Sequence, residues 1–342
     1  MWSRAPSATA LRWADQCVSA ADFCRFSEIR RIVAGKACSL SENVADIDRM
    51  TKTRDQIAEG LAAAGYVADD GLATALLLTE MLDRPLLLEG EAGVGKTEVA
   101  KALARLESTD LIRLQCYEGL DRSDAIYEWN YQRQLLAIKA REGSGADAET
   151  VEEAVFSEKY LLERPLLAAI RQDRAPVLLI DEIDRADEEF EAFLLEILSD
   201  YQVSIPELGT VSAVSIPRVV LTSNGTRELS DALRRRCLYH YVDYPTPDRE
   251  ARILLSRVDG LDTALALQIS ELMGMLRKED LAKVPGVAET IDWAAALLGL
   301  GARNLHDSRD LVFDTLACVL KTREDRVRVS PEVTDRLLGK VA

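Results

Sequence analysis

Between an apolar run, Pro85 to Leu88, and an amphipathic stretch opening at Thr97 lies Gly90-Glu91-Ala92-Gly93-Val94-Gly95-Lys96-Thr97, a complete G-x-x-x-x-G-K-[ST] loop. No other segment constrains the fold so tightly. Its glycines let the backbone turn so that N–H groups point at phosphate oxygens, and the helix that follows adds its positive end. Lys96 brings a point charge to β- and γ-phosphates, the Thr97 hydroxyl is suited to ligate Mg²⁺, and Glu98 follows in the first helical turn. Such a loop needs a buried strand before it and a helix after it. Val99, Ala100, Leu103 and Leu106 fall on one helical face, which supplies the second condition. The sequence therefore predicts an α/β P-loop nucleotide-binding fold, with ATP and Mg²⁺ as its ligands.

Three further apolar runs support a parallel sheet. Leu111 to Cys116 reads as a second strand, and Val177-Leu178-Leu179-Ile180 as a third that delivers Asp181 and Glu182 to the phosphate edge. Asp181 is suited to hold Mg²⁺ through water, and Glu182 to accept a proton from an attacking water. Val219 to Thr222 leads through Ser223 to Asn224, an amide that either orients that water or caps a turn before Gly225. Phe190, Phe193, Leu194, Ile197 and Leu198 make an amphipathic helix between these strands. Leu233-Arg234-Arg235-Arg236-Cys237 then clusters cations at a helix end. One of them, Arg235 or Arg236, is the candidate to stabilise charge on a neighbouring subunit's γ-phosphate.

Around these motifs the chain divides into three. Residues 1–49 carry seven basic and six acidic residues, so the formal charge of −16 lies wholly beyond them, and no clear amphipathic period runs through them. They read as a weakly ordered extension, with Met50 opening a stretch that resembles a natural amino terminus. Residues 50–244 form the nucleotide-binding domain, in which Glu118 to Asp173 reads as helical with an exposed turn at 142–146. Pro245 and Pro247 interrupt the chain, and 245–342 reads as a bundle of helices, the last starting at Ser330-Pro331.

An acidic balance of this size argues against sequence-independent nucleic-acid binding, which draws its affinity from neutralised phosphates. No apolar run is long enough to span a bilayer, and the first twenty residues hold no signal-peptide core. Six scattered cysteines without a C-x-x-C pair, and only His240 and His306, point away from a zinc site and toward reduced cytoplasmic thiols.

With the loop, the strand-borne carboxylates, the strand-borne amide and the arginine cluster in this order, the chain resembles an AAA+ ATPase of the MoxR type over about residues 54–300. Leu87-Leu88-Glu89-Gly90, Asp181-Glu182-Ile183-Asp184-Arg185-Ala186 and Thr222-Ser223-Asn224 carry the likeness. Arg113 to Asp121, Tyr127 to Tyr131 and Pro285 to Trp293 are similar to the subgroup encoded beside carbon monoxide dehydrogenase and related molybdenum hydroxylases. The resemblance implies a parallel sheet between helices with a helical lid, and a homo-oligomeric, hexameric ring. It also implies a partner with a von Willebrand factor A domain, and a client enzyme that the ring matures. Tyr66 and Val67 match where relatives bracket the adenine, although a place in the core suits them equally. Two positions depart from the pattern: Cys237 stands where Phe is usual, and Glu289 stands near the place of a second sensor arginine, a role Arg303 or another lid arginine would have to take.

Two questions stay open on the sequence alone. Glu128 and Trp129 either dock the von Willebrand-type partner or belong to the core. The ATPase itself works as a chaperone-like remodelling enzyme, as a nucleotide-gated scaffold, or, against its acidity, on nucleic acid.

Overall fold

The computed structural model describes residues 52–141 and 154–341. The extension expected over 1–49 and the turn expected at 142–146 lie outside the described residues. With strands numbered along the chain, five parallel strands form the central sheet: β1 (Leu86–Glu89), β2 (Leu111–Gln115), β5 (Val177–Asp181), β8 (Arg218–Ser223) and β9 (Leu238–Tyr241), in the order β2-β5-β8-β1-β9. Leu114, Ile180, Leu221 and Leu87 stand in register across four of them. They share one face with Leu178 and Val219, while Leu86, Leu88, Val177, Leu179 and Val220 point to the other. Both faces of the central strands β1, β5 and β8 are covered, so these read as unbroken apolar runs, whereas β2 and β9 at the edges carry polar residues.

Helices α1 (Arg54–Ala63), α2 (Asp70–Leu82) and α3 (Lys96–Glu107) pack the second face through Ile57, Leu61, Leu72, Leu76, Val99 and Leu103. The first face is covered by residues of α6 (Pro165–Ile170) and α7 (Glu188–Asp200), among them Leu166, Leu167, Phe190, Leu194 and Ile197. Each fully buried leucine or isoleucine contributes roughly 1.5–3 kcal/mol. Asp187 starts α7 by accepting the Phe190 N–H at 2.8 Å, a cap typically worth about 1 kcal/mol.

The expectation of a helical stretch from Glu118 to Asp173 is corrected. Short helices α4 (Arg122–Ala125) and α5 (Tyr131–Arg141) are there, but between and after them run β3 (Tyr127–Trp129) and β4 (Leu161–Glu163), an antiparallel pair joining Trp129 to Leu161. Three-residue strands are too short for alternation to show, and the buried helical residues around them dominate the pattern. A second antiparallel pair, β6 (Gln202–Ile205) with β7 (Gly209–Ser212), was not anticipated, nor was β9.

After α8 (Asp231–Arg236) and β9, the described residues hold helices and no strand. Pro247 does not merely break the chain: it occupies the first turn of α9 (Pro247–Arg257), capped by the Thr246 hydroxyl. The bundle continues through α10 (Thr263–Leu276), α11 (Val287–Gly299), α12 (Arg309–Thr315), α13 (Arg323–Arg328) and α14 (Pro331–Leu338), which begins at Ser330-Pro331 as read from the sequence. Its core gathers Leu254, Ile269, Met273, Trp293, Val312 and Leu338.

One ion pair knits the start of this bundle. Arg277 donates to Glu250 Oε1 at 2.6 Å and Oε2 at 2.7 Å, to Pro285 O at 2.9 Å and to Thr290 Oγ1 at 3.0 Å. Its side chain is 7 % exposed and that of Glu250 1 %. The guanidinium also lies over the Tyr244 ring, 4.8 Å from its centroid. Glu250→Ala would leave this cation buried and unpaired, so we expect a loss of about 3–5 kcal/mol in urea unfolding. The double variant Glu250→Ala/Arg277→Met should recover much of it. A single-variant loss under about 1 kcal/mol would show that the pair does not hold the bundle.

Candidate functional site

The loop after β1 owes its path to three glycines. Gly93 and Gly95 adopt φ of 81° and 97°, which side chains rarely tolerate. Gly90 is fixed by space instead, since a Cβ there would lie 2.3 Å from the Val242 carbonyl oxygen. Lys96 opens α3 with its ammonium buried. Its Nζ donates to Gly90 O at 2.7 Å, Glu91 O at 2.8 Å and Asn224 Oδ1 at 2.8 Å, which uses all three donors. Burial pulls the Lys96 pKa down, against the charges of Asp184, Glu91, Asp181 and Glu182. A phosphate entering here must take over some of these hydrogen bonds.

Asp181 ends β5, and its side chain is 3 % exposed. Its Oδ1 accepts from Thr222 Oγ1 at 2.5 Å and from Thr97 Oγ1 at 3.1 Å. A hydroxyl beside a carboxylate is a hard, all-oxygen donor set, which suits Mg²⁺ completed by phosphates and water. Among the described residues no group of three or more His, Cys, Asp or Glu is arranged to hold a metal alone. The set therefore fits an ion shared with a phosphate substrate.

Glu182 sits in the left-handed region at φ 56°, ψ 50°, a conformation that costs a non-glycine residue about 1 kcal/mol or more. Its N–H is held by Thr222 Oγ1 at 2.9 Å. Its carboxylate Oε2 accepts from Gln115 Nε2 at 3.0 Å and pairs with Arg185 Nε at 3.0 Å. Asp184 anchors the turn after β8 by accepting from Asn224 N, Thr226 N and Thr226 Oγ1. Burial opposes its ionisation, but these bonds outweigh burial and hold its pKa below the ordinary value.

Most of the residues read from the sequence converge on one cleft of about 280 Å³, although Gly90 and Glu91 do not line it. Ala92 to Glu98, Asp181, Glu182, Asn224, Tyr66 and Val67 all line it. Tyr66 is buried, and burial pushes its phenol up to about 12. From the helical bundle come Arg249, Ile253, Arg257, Val287, Ala288 and Ile291. Arg249 clamps the Tyr66-Val67 segment, donating to Val67 O at 3.0 Å and Asp69 Oδ2 at 2.8 Å. Arg257 pairs with Glu98 at 3.1 Å. Glu289 caps α11, accepting the Gly286 N–H at 3.1 Å. Arg303 does not line the cleft, so the bundle's cations there are Arg249 and Arg257.

The arginine cluster stands apart. Arg235 and Arg236, at the end of α8, do not line the cleft. Arg236 donates to Ser199 Oγ at 2.5 Å and Ala232 O at 3.3 Å, and Arg234 pairs with Glu89 at 3.5 Å. Arg235 is exposed, and among the described residues its guanidinium has no ion pair. Cys237 fills a buried position where Phe is usual in the resembled family, and burial pushes its thiol up to about 12.

Of the two readings open for Trp129, the structure takes the core: its ring is buried, edge-on to Phe156 at 5.4 Å and to Tyr127 at 6.1 Å. β3 turns it into the core, while Glu128 faces outward and pairs with Arg164 at 2.5 Å. Sequence reasoning missed Arg113, Gln115, Asp184, Arg185, Thr222, Arg249 and Arg257. Arg113 and Gln115 stand two apart on β2, a spacing that puts them on one side of the strand and was legible in principle.

A glycine loop between a buried strand and a helix, with strand-borne carboxylates and an amide beside it, is the arrangement of a P-loop ATPase. Residues 85–237 match the AAA domain (dynein-related subfamily). The chain is 27% identical over 269 residues to the gas vesicle ATPase GvpN of Haloferax mediterranei, covering 75% of this chain and 74% of that protein. It is 31% identical over 170 residues to an uncharacterized protein of Staphylococcus aureus (strain bovine RF122 / ET3-1), covering 48% of this chain and 57% of that one. The match thus spans little over half of the staphylococcal protein. Among solved structures, the Thermotoga maritima RuvB Holliday junction branch migration motor is 19% identical with a TM-score of 0.38, covering 72% of this chain and 66% of its own.

The cleft also depends on a backbone contact from the bundle. Val287 N donates to Gly93 O at 2.9 Å, and a Cβ on Gly286 would meet Gly93 Cα at 2.7 Å. Gly286→Ala should therefore push α11 off the loop and weaken binding of a fluorescent ATP analogue about tenfold, or ~1.4 kcal/mol. The melting temperature should hold within a few degrees. Unchanged affinity would show that the contact does not shape the cleft.

Proposed function

We propose that the chain hydrolyses ATP with Mg²⁺ in a homo-oligomeric, hexameric ring. We take it to be a cytoplasmic, chaperone-like remodelling ATPase of the MoxR type that matures a partner enzyme. The observation that carries this reading is how the cations are distributed. Lys96 lines the cleft, while Arg235 stands exposed outside it with no ion pair among the described residues. Such a cation is useful where a second copy presents its cleft.

In this reading the loop N–H groups and Lys96 bind the β- and γ-phosphates, and Thr97 and Asp181 hold Mg²⁺, which when bound neutralises charge on the phosphate oxygens. Glu182 turns from Gln115 and Arg185 to take the proton of the attacking water, and Asn224 releases Lys96 to orient that water. Tyr66 and Val67, braced by Arg249, bracket the adenine. Arg235 or Arg236 stabilises the charge that develops in the neighbouring cleft, Arg236 only after leaving Ser199.

The client side of the reading rests on Arg113 to Asp121, Tyr127 to Tyr131 and Pro285 to Trp293, which resemble the subgroup encoded beside carbon monoxide dehydrogenase. That likeness points to a von Willebrand factor A-domain partner and a molybdenum hydroxylase client. A nucleotide-gated scaffold is the second reading. The double hold on the Glu182 carboxylate by Gln115 and Arg185 favours slow turnover in the free protein. ATPase rates measured with and without the partner separate the two, since only the remodelling enzyme should speed up with it.

Lys96→Ala should abolish tight ATP binding in equilibrium titration. Glu182→Gln should still bind ATP but hydrolyse it at least about 100-fold more slowly. Retention of wild-type turnover would remove Glu182 from its role. Mixing Lys96→Ala protein with Arg235→Ala, and separately with Arg236→Ala, asks whether a cleft is completed by another chain. Activity should reappear in the mixture carrying the variant of the acting arginine. No recovery in either, with mixed rings shown by native mass spectrometry, would count against a cation acting between subunits.

A further inference from the structure

Asp181 is held by a protein cation as well as by hydroxyls. Arg113, on β2, reaches its Oδ2 through Nε at 3.0 Å and through a terminal nitrogen at 2.5 Å. The same Oδ2 lies 3.4 Å from Thr97 Oγ1, so the guanidinium sits against the position that Thr97 and Asp181 offer to a metal. Thr222 and Thr97 engage the other oxygen. Arg113 also donates to Gln115 Oε1, and Gln115 in turn donates to Glu182 at 3.0 Å.

We propose that Arg113 is a built-in counter-ion that Mg²⁺ must displace from Asp181, so that metal binding and release of Arg113 are one event. The inference rests on the reading of Asp181 as the carboxylate that holds the metal. A Mg²⁺ held through water needs the Asp181 oxygen as an acceptor for that water, and a guanidinium already on Oδ2 both occupies the acceptor and repels the incoming charge. Leaving the carboxylate bare is no alternative, because a buried charge without a partner is costly. The two side chains differ in the way an exchange needs. Asp181 is 3 % exposed and fixed, whereas Arg113 is 50 % exposed and can carry its charge into water.

The exchange has a second consequence. When Arg113 leaves, Gln115 loses the donor on its Oε1 and with it part of what fixes its amide on Glu182. Filling the metal position thus loosens the hold on the candidate base, which links readiness for hydrolysis to metal loading.

The test is the affinity for a fluorescent ATP analogue in EDTA divided into the affinity in saturating MgCl₂, which measures how much the metal strengthens binding. Arg113→Gln and Arg113→Met should raise this ratio about tenfold by removing the competing charge. Both should also lower the Mg²⁺ concentration that half-activates the ATPase. Arg113→Lys, which keeps the charge, should stay near the wild-type ratio. A ratio that is unchanged or lowered in both uncharged variants, with native circular dichroism, overturns the proposal. Asp181→Asn separates this failure from a deeper one. If it abolishes the Mg²⁺ dependence while the Arg113 variants change nothing, only the counter-ion role falls. If it leaves the dependence intact, the metal reading of Asp181 and the Arg113 proposal fall together.

Discussion

A single buried carboxylate, Asp181, ties together the parts of this molecule that must move as one. It ends the central strand β5, and its oxygens gather Thr97 from the first turn after the phosphate loop, Thr222 from β8 and Arg113 from β2. These contacts are possible only because β2, β5 and β8 are neighbours in a parallel sheet and finish at the same edge. The Thr222 hydroxyl works in both directions, donating to Asp181 and accepting the Glu182 N–H. Glu182 is thereby held in left-handed backbone that its own sequence does not favour. Its strain is local, and the strand beside it supplies the bond that holds it.

The helical bundle reaches the phosphate loop through the backbone as well as through charge. Gly93 and Gly286 touch where any side chain would separate them, and Val287 hands its N–H to the loop. The Arg277–Glu250 pair fixes α11 for that approach, since Arg277 also binds Pro285 O and Thr290 immediately around Gly286. With Glu289 spent on capping α11, the cations that the bundle brings to the cleft come from α9 instead. Arg249 braces the Tyr66-Val67 wall, and Arg257 crosses to Glu98 in the first turn of α3. The loop, the wall and the bundle are joined by interactions that a bound nucleotide would have to preserve or replace.

What was legible in the sequence was whatever repeats or is covered on both sides. The three central strands β1, β5 and β8 read as continuous apolar runs, and the phosphate loop is a motif whose residues have no cheaper arrangement. The strand ends then placed Asp181, Glu182 and Asn224 at one edge without further information. Three-residue strands such as Tyr127–Trp129 left no periodic trace, so Trp129 could not be told apart as core or surface before its partners Phe156 and Tyr127 were known. The residues that orient the site were missed for a different reason. Arg113, Gln115 and Arg249 act across contacts between elements far apart in sequence, and an exposed-looking arginine in a chain with 42 basic residues carries no mark of its use.

That excess of charge makes the allocation of cations informative. With 58 acidic residues against those 42, anions outnumber cations, and several of the basic side chains near the site are paired. The pairs are Arg113 with Asp181, Arg185 with Glu182, Arg257 with Glu98, Arg249 with Asp69, Arg234 with Glu89. Each pair holds a loop or strand end in place, and surface pairs of this kind add little stability in themselves. Their value is positional, and it explains why an exposed cation next to several engaged ones stands out. Arg235 sits one residue from Arg234 and Arg236, both of which are tethered to their own chain, on a helix whose final carbonyls are held by Arg84. The helix end is therefore fixed, while among the described residues the exposed Arg235 guanidinium pairs with no anion.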